Sequence, residues 1–144
     1  MITFKNIILA AGKGTRMQSK DTHKVCFDID GKPAIIQAMD RYSLAGLSDF
    51  TIVVGTMAEQ VMAAVSSKYP TARYAYQVEA LGTGNAARIG CDIGEKTSPV
   101  LITMGDKIIA PEVVKELISK FEKDDLDCIF AVTPKKLNQQ GGNA

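Results

Sequence analysis

Apolar positions in this chain fall into short β-branched runs separated by longer amphipathic stretches. Asn6-Ile7-Ile8-Leu9, Phe50-Thr51-Ile52-Val53-Val54 and Pro99-Val100-Leu101-Ile102-Thr103-Met104 are apolar on both faces, the pattern of strands buried on both sides in a parallel sheet. Arg73 to Gln77 reads as a weaker strand, and Cys128-Ile129-Phe130-Ala131-Val132 as the last one. Pro33 opens a first helix, because its fixed φ suits a first turn. Ile35, Ile36, Ala38, Met39 and Tyr42 then share one face while Gln37, Asp40 and Arg41 look outward, and Gly46 ends it. Ala58 to Ser67 forms a second helix with Val61, Met62 and Val65 toward the core, closed before Pro70. Periodicity places a third over Asn85 to Ile93. Pro111 starts a fourth, with Val113, Val114, Leu117, Ile118 and Phe121 in one stripe and Glu116 four residues before Lys120. Val25-Cys26-Phe27-Asp28-Ile29 reads as a short extended piece closed by the turn Asp30-Gly31. With that piece set aside, five strands alternate with four helices, which predicts an α/β fold: a doubly wound, mainly parallel sheet with helices on both faces.

Composition narrows the function classes. The chain has 144 residues, 46% hydrophobic and 23% charged, enough for one core and too few for two comfortable ones. The formal net charge is +1, and no Lys/Arg block makes a continuous basic face, so nucleic acid is not an expected partner, whereas free nucleotides need only a few local cations. Cys26, Cys91 and Cys128 are an odd number at wide spacing, with one histidine in the chain. That argues against a disulfide framework and a zinc site, and predicts three small buried apolar residues in a reducing, cytoplasmic compartment. No apolar run approaches the roughly 20 residues of a membrane helix. Residues 1–137 are expected to form one part of a domain. Residues 138–144 form a polar, glycine-rich tail, read as the cut edge of a longer domain.

The chemistry gathers after the first strand, in Leu9-Ala10-Ala11-Gly12-Lys13-Gly14-Thr15-Arg16-Met17. Gly12 and Gly14 let the backbone approach an anion, and Lys13 and Arg16 neutralise it. The dinucleotide fingerprint G-x-G-x-x-G would need glycine where Met17 stands, and the Walker pattern needs four residues between its glycine and G-K-[ST], so neither fits.

The stretch resembles the signature of the sugar-phosphate nucleotidylyltransferases, L-A-A-G-x-G-T-R-M followed by a lysine, here Lys24. The resemblance continues through Asp30-Gly31-Lys32-Pro33, Gln77-Val78-Glu79-Ala80-Leu81-Gly82-Thr83-Gly84-Asn85-Ala86 and Gly105-Asp106. Within the family it is nearest to the uridylyltransferase domain that makes UDP-N-acetylglucosamine, and it covers the chain up to the tail. It implies the Rossmann-like nucleotide-diphospho-sugar transferase fold, here truncated. It also implies an enzyme of the pyrophosphorylase type, a magnesium cofactor, and as partners UTP and a sugar 1-phosphate such as N-acetylglucosamine 1-phosphate. A fused C-terminal domain or a homo-oligomer belongs to the same expectation.

The residues can be weighed alongside the resemblance. A nucleoside triphosphate brings about four negative charges into a cleft whose low-dielectric walls magnify their neutralisation. Lys13 alone reads equally well as a solvated surface charge, while for Arg16 and Lys24 the resemblance implies phosphate contact and a catalytic role. Leu9, Ala10, Ala11, Gly12, Lys13, Gly14 and Thr15 would line the nucleotide. The Gln77 amide, with a donor and an acceptor side by side, matches the imide edge of uracil or thymine. Base recognition would rest on Gln77 and the Gly82 backbone, with Thr83 towards the sugar phosphate. Asp106, beyond a buried strand, would anchor Mg²⁺, which needs only one or two carboxylates beside phosphate oxygens and water. Lys107 and His23 depart from the pattern. His23 stands where the family has proline, and as a lone histidine it reads as a surface or turn residue.

The implied reaction is attack of a sugar 1-phosphate oxygen on the α-phosphorus of UTP with release of pyrophosphate, catalysed by positioning and charge neutralisation. Three readings stand: a uridylyltransferase domain, a thymidylyl- or cytidylyltransferase, and a nucleotide-binding regulatory module without activity.

Overall fold

The computed structural model describes residues 2–14 and 20–134. Four strands, β1 (Lys5–Ala10), β4 (Asp49–Val54), β5 (Arg73–Tyr76) and β6 (Val100–Met104), form one sheet, while β2 (Asp28–Ile29) and β3 (Lys32–Pro33) pair as a small antiparallel hairpin. The helices are α1 (Ala34–Leu44), α2 (Ala58–Ser66), α3 (Thr83–Cys91) and α4 (Pro111–Lys123). The sheet order is β5-β4-β1-β6 and every pairing in it is parallel. β1 is central, so each of its residues from Lys5 to Ala10 is buried.

Successive side chains on a strand face opposite ways, and the two faces of this sheet feed two cores. Ile8, Ala10, Ile52 and Val54 pack against Ile35, Met39 and Tyr42 of α1, Val61 and Val65 of α2 and Val114 of α4. Ile7, Leu9, Val53 and Ala75 pack against Ala86 of α3, with Ile89 at the margin. The second contact is close enough to fix a residue type. A Cβ on Gly90 of α3 would run into Ile7 Cγ2 and stand 2.9 Å from Val53 Cγ2.

β1 also carries Lys5, a lysine only 2% exposed. Its Nζ donates to the carbonyl oxygens of Cys91 (3.3 Å) and Ile93. These belong to the C-terminal end of α3, where carbonyls lack helical partners and a cation is favoured.

The structure corrects several expectations. Cys128 to Val132 is not a strand: Phe130 is 81% and Val132 86% exposed, and no described segment pairs with them. An apolar run becomes a strand only where a neighbour offers a ladder. β6 is an edge strand, with Val100 and Ile102 exposed on the face that α3 leaves uncovered. Val25 and Cys26 belong to a 3-10 turn (Lys24–Cys26) rather than to an extended piece, although Asp30 and Gly31, both at positive φ, do turn the hairpin that follows. Met62 and Val113 lie outside the buried stripes of α2 and α4. Cys26 and Cys91 are half-buried and Cys128 is exposed, all as free thiols. Residues 138–144 lie outside the described residues.

Candidate functional site

Several of the described residues singled out by the sequence lie at or just beyond the carboxyl ends of the parallel strands. Across the sheet, Gln77 follows β5, Gly55 and Thr56 follow β4, Ala11 to Gly14 follow β1, and Asp106 follows β6. At about 4.8 Å per strand, the three spacings from β5 to β6 span about 14 Å. β1, β4 and β5 succeed one another in one direction, and β6 returns to the other side of β1. That reversal leaves a crevice at the strand ends, where open α/β sheets gather ligands.

Leu9 and Ala10 end β1 with buried side chains on opposite faces, so they present only backbone to the crevice. The connections after β1 and β4 then touch: a Cβ on Gly55 would stand 3.0 Å from the Ala11 carbonyl oxygen. Beside them a pocket of ≈ 370 Å³ is lined by Ala11, Lys13, Thr56, Tyr76, Gln77 and Val78, a volume suited to a small molecule.

Gln77 is buried at this pocket. Its backbone N–H donates to Val54 O (2.8 Å), adding a rung to the β5–β4 ladder, and its Nε2 donates to Asn85 Oδ1 (2.9 Å) and Gly82 O (3.2 Å). The amide orientation is thereby held by α3. Gly82, at φ 89°, is the residue before that helix, and Thr83 is exposed at its first position.

At the other end of the crevice, Lys24 Nζ lies 3.3 Å from Asp106 Oδ2, and both side chains are partly exposed. The lysine stem crosses the glycine loop: a Cβ on Gly12 would stand 3.6 Å from Lys24 Cε, and one on Gly14 3.5 Å from Lys24 Cβ. Gly14 also has φ 61°, a conformation that favours glycine. Gly105 brings the end of β6 inward, donating to Leu9 O at 2.9 Å. Lys107 is exposed, and its carbonyl accepts from the Tyr42 hydroxyl at 3.1 Å. Among the described residues there is no cluster of three or more metal-ligating side chains. Asp106 is a single carboxylate already drawing a cation, the ammonium of Lys24. A divalent ion there would draw its remaining ligands from phosphate oxygens and water, which is how Mg²⁺ is commonly held.

His23 is only 3% exposed, which corrects its reading as a surface residue, while its place at a turn stands. Its Nδ1 accepts from the Val25 N–H at 3.2 Å, capping the turn that begins at Lys24. Burial first, and then the charge of Lys24, push its imidazole below the ordinary value, while the Gly12 backbone pulls the other way. Nε2 makes no well-formed hydrogen bond among the described residues, though the Gly12 backbone is near enough to favour protonation. Thr15 and Arg16 lie outside the described residues.

The comparison with protein families is decisive. The model of the MobA-like NTP transferase domain matches residues 6–140. The chain belongs to this family. Among curated relatives of this NTP transferase domain, the bifunctional protein GlmU of Symbiobacterium thermophilum is 39% identical over 115 residues, covering 78% of this chain and 24% of GlmU. The chain therefore spans about a quarter of the length of the GlmU proteins it matches. Among solved structures, a Bacillus anthracis protein named as a glucose-1-phosphate thymidylyltransferase superposes with a TM-score of 0.75 at 23% identity, over 84% of this chain and 51% of the other. Rv0371c of Mycobacterium tuberculosis, solved with manganese, gives 0.65 at 17% identity over 82% and 59%. These two likenesses establish the shared fold, including its parallel sheet.

Several residues of the NTP transferase domain that shape the crevice escape sequence reading. Gln60 of α2 accepts from the His23 N–H and donates to Asp21 O, both at 2.8 Å. Nothing in its local pattern distinguishes it from any outward-facing helical glutamine. Tyr76 is 58% exposed at the pocket. Its place in a strand was legible, its place at a pocket was not.

Proposed function

We propose that this chain is the nucleotide-binding part of a sugar-1-phosphate nucleotidylyltransferase that takes UTP, with N-acetylglucosamine 1-phosphate as acceptor. The observation that carries the reading is the order of groups along the strand ends: an amide-bearing pocket at β5, a glycine loop with Lys13 at β1, and the Lys24–Asp106 pair beside β6. A nucleotide laid along that edge places its base at Gln77 and its phosphates over Gly12 and Gly14.

In the reaction an oxygen of the sugar phosphate forms a bond to the α-phosphorus of UTP. The bond from that phosphorus to the bridging oxygen breaks, and pyrophosphate leaves with the electron pair. The attacking phosphate is already anionic, so no general base is required. Lys24 and Lys13 neutralise charge that accumulates on phosphoryl oxygens, and a site with fixed cations needs little reorganisation when that happens. Arg16 is assigned the same work by the sequence motif. The glycine loop positions the triphosphate for in-line displacement. Asp106 would hold a magnesium ion, whose chemistry is charge neutralisation on phosphate oxygens.

The test is titration of each nucleoside triphosphate with Mg²⁺, then a pyrophosphate-release assay with a panel of sugar 1-phosphates. UTP binding tighter than that of CTP, dTTP, ATP and GTP, with release on N-acetylglucosamine 1-phosphate, supports the reading. Preference for dTTP moves the assignment to a thymidylyltransferase. Binding without release in the natural full-length protein moves it to a regulatory module.

A further inference from the structure

We propose that His23 and Gln60 form a positioning pair that holds the Lys24 ammonium over the glycine loop by hydrogen bonds, doing what a proline at position 23 would do covalently. The inference rests on Lys24 being a phosphate-binding group, as proposed above.

His23 has φ −62° and ψ 138°. That φ lies at the centre of the narrow range to which proline is locked. Histidine is free to leave it, so something outside the residue must hold it. Three bonds converge there. The His23 N–H, a group proline lacks, donates to Gln60 Oε1 at 2.8 Å. The imidazole Nδ1 accepts from Val25 N, and the His23 carbonyl accepts from Cys26 N at 2.8 Å. The first ties the segment to α2; the others fasten the turn whose first residue is Lys24.

Gln60 grips the segment at two points, because its Nε2 donates to the Asp21 carbonyl while its Oε1 accepts from His23. The two ends of a primary amide are chemically distinct, so an acceptor on one side and a donor on the other fix its orientation. The pair sits beside the loop it would serve. A small cavity of ≈ 30 Å³ is bounded by Lys13, Gly14, His23 and Lys24. The stem of Lys24 occupies the space that a side chain on Gly12 or Gly14 would enter, so rotating residue 23 would swing the ammonium across the crevice.

Coupling between residues 23 and 60 tests this. Inorganic triphosphate with Mg²⁺ is the binding probe, and hydrogen exchange at the Cys26 amide, whose acceptor is the residue-23 carbonyl in every variant, is a readout that needs no ligand. Gln60→Leu should weaken triphosphate binding about tenfold, roughly the worth of one good hydrogen bond, and speed Cys26 exchange. In a His23→Pro background the same Gln60→Leu change should alter both by less than about twofold, since proline holds φ alone. His23→Asn keeps the N–H and a capping oxygen and should bind as the parent does, whereas His23→Ala should not. These two variants carry the test if proline prevents folding. Loss of folded protein would lower the number of binding sites and leave the dissociation constant unchanged, which separates positioning from simple stability.

Equal effects of Gln60→Leu in both backgrounds, or unchanged Cys26 exchange in that variant, would overturn the proposal. If the parent protein binds neither triphosphate nor UTP, the proposed function falls. The exchange arm then still decides whether the two residues are coupled.

Discussion

Lys24 and Asp106 are 82 positions apart in the chain and share an ion pair of 3.3 Å across the crevice. One residue is the cation assigned to phosphate and the other the carboxylate assigned to metal. Each supplies the other with a group of the charge that its assigned partner would carry.

Lys24→Ala should therefore separate two effects. Turnover in a pyrophosphate-release assay should fall at least about 100-fold, the scale of losing one electrostatic group aimed at developing charge. The melting temperature should barely move, because partly exposed ion pairs contribute about 0–1 kcal/mol. Divalent-ion binding without nucleotide should tighten, since Asp106 loses its competing cation. Undiminished pyrophosphate release would exclude the catalytic role.

Asn85→Ala should loosen base selection. Asn85 Oδ1 is one of two acceptors that hold the Gln77 amide, so its removal lets that amide rotate. The expected result is a smaller ratio of UTP to CTP affinity with UTP-site occupancy retained. An unchanged ratio across all nucleotides would mean that Gln77 does not read the base.

The depressed imidazole of His23 gives a pH dependence with a definite sign. The unfolded chain takes up its proton near 6.5, while the folded chain does so only at lower pH. The unfolded state thus binds more protons between those values, and stability falls as pH drops through that window. Below the folded value the contribution is lost and the curve flattens. The charge of Lys24 adds to burial in opposing the ring's protonation, and the Gly12 backbone favours it. Urea denaturation at about pH 7.5 and about pH 5 should show this loss in the parent, and a smaller one in His23→Asn.

Gly90→Ala should destabilise the fold by about 1–3 kcal/mol, the usual cost of overpacking, even though alanine is the better helix former by about 1 kcal/mol. The new methyl would meet Ile7 and Val53. Chemical denaturation measures it, and a stabilised variant would show that α3 can move off the sheet freely.

Lys5→Met keeps the buried stem and removes the ammonium that bonds to Cys91 and Ile93. Leaving those carbonyls without this donor should cost about 1–3 kcal/mol in the same measurement. The proposed nucleotide site, at the opposite end of β1, should keep its affinity in the folded fraction.

Much of the fold was legible because parallel strands buried on both faces leave uninterrupted apolar runs, as in Phe50 to Val54, and because α1 shows its buried face in Ile35, Met39 and Tyr42. Phe130 and Val132 misled for a physical reason: hydrophobicity and β-propensity say that a segment could pair, while only the neighbours say whether it does. The glycine loop, Gln77 and Asp106 could be picked out because each follows a strand in a motif, and Lys24 because the family resemblance extends to it. The burial of His23 could not be, since its backbone is tied to Gln60 of α2, 37 residues along the chain. Lys5 was invisible likewise, a cation whose partners lie 86 and 88 residues away.

Gln77 and Asp106 hang from the two outermost strands of a single hydrogen-bonded sheet. The distance between the groups they carry is consequently set by the repeat of the backbone ladder, a gauge that no side chain substitution recalibrates. Loops at the strand tips can lengthen or exchange residues and so respecify which ligand is received. The span offered to a ligand stays the same.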